Sequence, residues 1–218
     1  NDEWIRTRTG IEQRYIFDRD LKELKTSDIA IEASRSLLDQ TGVLPEQIDG
    51  IILGTMYPDQ VFPATACVVQ AALGCDNAFA FDLTAACAFY PYAINVASLM
   101  IESGQAKNII VIGSELSSRV TDWSDRNTCV LFGDAGTATL LSASTEYKES
   151  DRSVDQLQRG VLTSSLKSKG KAQDILNLPN IGLENAFIKM DGRSVFKLAV
   201  VEMASIVEKT LAKIGFTP

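Results

Sequence analysis

Phe81–Ala97 reads FDLTAACAFYPYAINVA. An apolar strand ends at Leu83, a short turn of small residues comes next, and a long apolar run begins at Cys87. A thiol placed where a strand hands over to a helix lies beside backbone N–H groups that no helical carbonyl uses. It also lies at the positive end of the peptide dipoles, and both favour the thiolate over the thiol. Ala85, Ala86 and Ala88 leave room beside the sulfur for an acyl thioester. Pro91 falls in the first helical turns, where its missing N–H costs little. The alternative reading of Cys87 is a small buried residue in a tight turn. Cys67 and Cys129 fit that description, each embedded in an apolar run, and Cys75 reads as a partly exposed loop thiol behind Gly74.

Outward from this segment, apolar runs alternate with helical patterns. Helices are expected over 27–41, 64–73, 87–103 and 193–214. Ser27 is read as the cap of the first, with Gly42 and Gly74 as stops. Strands are expected over 48–55, 78–83, 108–114, 128–132, 137–143 and 160–166. The run NIIVIGS at 108–114 suits a strand buried on both faces. The helix at 87–103 is apolar nearly all round, which places it in the interior between layers. Strand–helix–strand alternation of this kind implies an α/β layered fold with a largely parallel central sheet. The polar stretch 144–158 reads as a surface loop between a first unit, 1–150, and the start of a second, 151–218.

Composition sets outer bounds. The 218 residues carry 21 Lys plus Arg against 28 Asp plus Glu, a net charge of −7 with no long basic run, so nucleic acid is not an expected partner. No apolar run of about 18 residues exists to span a membrane. The first residues lack signal-peptide character and a Met, so a cytoplasmic protein extending further upstream is expected. The four cysteines have no metal-ligand spacing, and no metal is expected. No dinucleotide or P-loop glycine motif is present. There is no histidine.

Several blocks, in order, resemble the β-ketoacyl-acyl-carrier-protein synthase III family, condensing enzymes of the thiolase fold. They are NDEWIRTRTG (1–10), FPATACVVQ (62–70), the Phe81–Phe89 segment, Asp125-Arg126-Asn127-Thr128 with Leu131-Phe132-Gly133-Asp134, ILNLPN ending at Asn180, and DGRSVFKLAVV (191–201). The resemblance implies the layered α-β-α-β-α thiolase-like fold, here its amino-terminal half and the start of its carboxyl-terminal half. It implies Cys87 as the acyl-accepting nucleophile. It also implies coenzyme A contacts from Trp4, Arg8, Arg126 and Gly192, and an acyl pocket lined by Phe62 and Phe196, with Phe62 crossing to a second subunit of a homodimer; Phe89, where the family differs, is expected to narrow that pocket. Coenzyme A would be a substrate and no cofactor would be needed. The implied reaction joins an acyl group from acyl-coenzyme A, with acetyl-coenzyme A the expected donor, to malonyl-acyl-carrier protein, and so begins fatty-acid synthesis.

Some features depart from the family. The family's catalytic His and Asn belong to a block not matched in these residues, so the 218-residue chain alone is not expected to condense. Phe89-Tyr90 replaces the usual Gly-Phe, and Phe89 is expected to add bulk near Cys87. The glycine-rich run is Gly133-Asp134-Ala135-Gly136-Thr137-Ala138. Two other readings stay open: a specialised synthase of secondary or signalling metabolism on the same fold, and a non-catalytic fragment that binds a carrier protein or partner subunit.

Overall fold

The computed structural model describes residues 1–17, 23–144, 160–179 and 186–216. Its centre is a four-stranded sheet of order β2-β1-β3-β4, built from β1 (Gly50–Gly54), β2 (Phe79–Asp82), β3 (Asn108–Leu116) and β4 (Asp134–Ser142). β1 runs parallel to β2 and β3, and β4 returns antiparallel to β3. The three parallel strands therefore end at one common edge.

Alternation along the strands supplies both faces of the core. Ile51, Leu53, Ile110 and Ile112 point to one side, where they meet α2 (Thr26–Thr41) and α3 (Thr65–Leu73) through Ala30, Leu38, Ala66 and Val69. Ile52, Ile109 and Val111 point to the other side and meet Phe89, Ala93 and Ala97 of α4 (Phe89–Glu102). Ile109 to Ile112 have no exposed surface. Each such side chain stabilises the fold by roughly 1.5–3 kcal/mol relative to exposure. This is the doubly covered strand that NIIVIGS predicts, and the layered α/β architecture is built around it.

Several expectations are corrected. The 27–41 helix begins at Thr26, and Ser27 does not cap it. Lys25 N–H instead donates to Asp28 Oδ2 at 2.8 Å, and Ser27 N–H donates to Asp59 Oδ1 at 3.0 Å. Residues 128–132 form no strand: 126–131 are consecutive turns, because Asp125 takes the Asn127 N–H and the Thr128 hydroxyl and curls the chain. Residues 160–166 form no strand. The helix α4 buries only one face, and Leu99 on its outer side is exposed. Cys75, read as a partly exposed thiol, is fully buried. Burial, and after it the charges of Asp76 and Glu46, pushes its thiol up. The boundary expected near residue 150 and nearly all of the 144–158 loop lie outside the described residues.

Two elements lie outside the sheet. α1 (Asp2–Thr9) is capped by Asn1, whose Oδ1 accepts from Trp4 N–H at 2.9 Å, and it buries no residue. The pair β5 (Leu176–Asn177) and β6 (Lys189–Met190) leads into α5 (Gly192–Ala212), capped by Asp191. Ile188 N–H donates to Val120 O at 2.8 Å, and Tyr92 bonds Ser168 at 2.7 Å, so this second segment is tied to the first. Among the described residues no helix is long and apolar enough to cross a membrane.

Candidate active site

Cys87 lies at the common edge where the parallel strands end. It occupies a single 3₁₀ turn, Ala86–Ala88, and α4 starts at Phe89, two residues later than the sequence suggests. Its side chain is exposed, as expected of a thiol open to a thioester and not of a sealed core residue. Immediately before it, Ala86 holds φ at 45°, a left-handed value that a residue with a Cβ adopts at a cost of about 1–2 kcal/mol. Such local strain persists only where the surroundings over-determine the backbone.

Three features supply that determination. Leu83 N–H donates to Leu53 O at 2.8 Å, extending the sheet to the start of the turn. Asp82, the last residue of β2, accepts from Thr65 N–H and Ala66 N–H at 2.8 Å each, so its carboxylate stoppers the first turn of α3. On the far side, the Phe89 ring lies over Gly54 of β1 and reaches Gly113 of β3. A Cβ at Gly54 would fall 2.0 Å from ring carbon Cδ2, so only glycine admits the ring there. Phe89 is 7% exposed and packs into the α4 side of the core. The bulk that the sequence suggested beside Cys87 is thus turned onto the sheet, and it anchors the start of α4.

A carboxyl group that the sequence alone did not single out lies on the same face of the sheet. Glu115 comes two positions after Gly113 along β3, and alternation puts both toward the α4 side. It accepts from Met56 N–H at 2.6 Å and from the Thr55 hydroxyl at 3.3 Å. Burial dominates those bonds and pushes its carboxyl up to about 7. In the sequence only its position at the end of an otherwise apolar strand could have flagged it. The loop that it holds leads to Phe62, which is 84% exposed.

The other expected site residues fall on several elements. Trp4 is 45% exposed on α1, and Arg8 stands one turn later, also exposed. Arg126 is exposed in the turn that leads to Thr128. Gly192 opens α5, where a Cβ would meet only Met190 Cε at 3.5 Å. Phe196 is 71% exposed on the first turns of α5. The chain segments of Trp4, Arg8 and Arg126 are joined through residues 14–17 and 129–134. Phe62 and Cys87 both come after the carboxyl ends of parallel strands. Gly192 and Phe196 stand on a separate helix. A shallow cavity between residues 165–167 and the outer part of α5 contains none of these residues.

Comparison with known proteins bears on the fold and on the family likeness. The family model described as 3-oxoacyl-[acyl-carrier-protein] synthase III matches residues 81–170, which include the Cys87 turn. The β-ketoacyl-[acyl-carrier-protein] synthase III of Clostridium tetani is 42% identical over 217 residues, covering 97% of this chain and 64% of its own length. The Erythrobacter litoralis protein of the same name is 44% identical, with 99% and 64% covered. The crystal structure of the synthase III from Aquifex aeolicus superposes with a TM-score of 0.86 at 38% identity, covering 99% of this chain and 64% of that one. A priming β-ketosynthase of a polyketide pathway is 28% identical with a TM-score of 0.84, covering 100% and 63%. The chain spans 64% of the length of the Clostridium tetani and Erythrobacter litoralis relatives. With its layered thiolase-like sheet, the chain is similar along its whole length to the 3-oxoacyl-[acyl-carrier-protein] synthases III.

Proposed function

We propose that the protein is a β-ketoacyl-acyl-carrier-protein synthase III in which Cys87 carries the acyl group. The single observation that carries this reading is the exposed Cys87 in a turn strained at Ala86 and braced on three sides. In the first step the Cys87 thiolate attacks the thioester carbonyl of acyl-coenzyme A. The carbon–sulfur bond to coenzyme A breaks, and coenzyme A leaves as its thiolate. In the second step malonyl-carrier protein loses carbon dioxide. The carbanion that remains attacks the acyl-Cys87 carbonyl, a new carbon–carbon bond forms, and the Cys87 thiolate is released.

Coenzyme A is a substrate in this scheme and no resident cofactor takes part. Trp4 offers a flat amphipathic face for adenine, and Arg8 and Arg126 offer guanidinium groups suited to phosphate. The His and Asn partners implied by the resemblance stabilise the condensation step, in which each oxyanion donor contributes about 3–4 kcal/mol. Histidine is absent from these 218 residues. As part of the same reading the protein pairs with a second copy, and the exposed Phe62 is the residue offered to it. A specialised synthase is a second reading, favoured by the likeness to the polyketide priming enzyme.

Mass spectrometry after mixing with acetyl-coenzyme A tests the first step. One acetyl increment is expected on the unaltered protein and none on Cys87→Ser. Acetylation that persists in Cys87→Ser would refute the assignment. Turnover of acetyl-coenzyme A with malonyl-carrier protein, against longer acyl groups or malonyl-coenzyme A, separates the two enzymatic readings.

A further inference from the structure

The stretch 129–133, just before β4, has no sheet partner, yet it lies against the chain that comes after α1. Carbonyl groups in such a stretch need donors from elsewhere if water does not reach them. Arg14 supplies them. Its Nη1 donates to Phe132 O at 2.8 Å and also to Cys129 O. Hydrogen bonds from a charged donor are stronger than neutral ones and directional. The neighbouring backbone completes the joint. Asp134 N–H donates to Tyr15 O at 2.8 Å, and Phe17 N–H donates to Asp134 Oδ2 at 3.0 Å. The fit is close: a Cβ on Gly133 would come within 3.0 Å of Tyr15 O and 3.2 Å of Arg14 Cβ.

The two sides of this joint are the two sources of the expected coenzyme A contacts. Arg14 stands on the same segment as Trp4 and Arg8, with only Gly10 and a short stretch of neither helix nor strand between. Cys129 lies a single turn beyond Arg126, and its N–H donates to Asp125 O at 2.9 Å. α1 itself buries nothing, so its position is set by the 11–17 segment at its end. We infer that Arg14 is a positioning residue: its guanidinium clamps the 11–17 segment to the 129–134 stretch and so sets the spacing between Trp4 and Arg8 on one side and Arg126 on the other. The inference rests on the coenzyme A reading above and adds to it a residue that touches no substrate. A clamp of this kind lowers the ordering cost of binding the nucleotide half of the ligand without touching the acyl centre.

The test compares two acetyl donors in the full-length protein. One is acetyl-coenzyme A. The other is acetyl-N-acetylcysteamine, a thioester with no nucleotide. Arg14→Met keeps the aliphatic stem and removes the donors. Its KM for acetyl-coenzyme A is expected to rise about tenfold, while Cys87 acetylation by the short thioester stays within about twofold. Arg14→Lys restores a charged donor and recovers part of the loss. Gly133→Ala pushes on the same joint from the opposite side and gives the same split, which serves if Arg14→Met does not fold. Equal losses with both donors, or no loss with either, would overturn the clamp. Failure of both donors to acetylate the unaltered protein would overturn the coenzyme A reading, and the clamp with it.

Discussion

Gly54→Ala tests how the nucleophile turn is held. The added methyl would lie 2.0 Å from Phe89 Cδ2 and 2.1 Å from Cγ, whereas carbon atoms in contact sit about 3.5–4.0 Å apart. The ring must therefore retreat by about 1.5 Å or more. It has little free space to move into, because Phe89 is only 7% exposed and belongs to the buried cluster on the α4 side of the sheet. Overpacking of this kind costs about 1–3 kcal/mol. Phe89→Ala by itself leaves a cavity and costs about 3–5 kcal/mol. In the double variant the methyl added at position 54 enters the space the ring leaves, so the combined cost should fall short of the sum by about 1–3 kcal/mol. Urea unfolding of the four proteins measures this coupling. The same displacement reaches Cys87, two residues before Phe89, so Gly54→Ala should also slow Cys87 acetylation in the mass-spectrometric assay. Additive stability losses with an unchanged acetylation rate would refute the idea that the ring anchors the turn.

The carboxylates at the same edge give two further predictions. Glu115 has a folded pKa of about 7, raised by burial from an ordinary 4.5. The unfolded chain therefore ionises first as pH rises. Stability from this group is complete below about pH 4.5 and is lost up to about pH 7, with a ceiling of about 3 kcal/mol. Glu115→Gln keeps an acceptor for Met56 N–H and should flatten that decline, which urea midpoints at about pH 5 and about pH 8 will show; parallel midpoints for both proteins would contradict it. Asp82→Ala leaves Thr65 N–H and Ala66 N–H without their acceptor and should cost about 1–2 kcal/mol in thermal or urea unfolding, with Asp82→Asn recovering part of it. A loss below about 0.3 kcal/mol in Asp82→Ala would mean that the carboxylate is not stoppering α3.

The layered fold was legible in the chain because its strongest signals are local and periodic. NIIVIGS could only be a strand covered on both faces, and the helices at 26–41, 65–73 and 192–212 announce themselves by apolar spacing and stop signals. Cys87 was legible for a similar reason: a strand, three small residues and a long apolar run in succession leave one thiol at the junction. The errors arose where a short apolar run has no period to read. Residues 128–132 look like a strand, but Asp125 closes turns on them, and the carbonyls so displaced are taken up by Arg14, more than a hundred residues away in sequence. Cys75 looked like a loop thiol because exposure behind a helix stop depends on which parts of the chain fold over it.

The sequence by itself determined which segments become strands and helices, and that a thiol stands at a strand-to-helix junction, because those outcomes depend on neighbours within a few residues. Only the tertiary structure decided that Phe89 turns onto Gly54, that Glu115 is buried enough to hold its proton near neutrality, and that Arg14 joins two distant segments. Close packing and desolvation are set by atoms brought together from remote parts of the chain, and no local pattern of residues encodes that meeting.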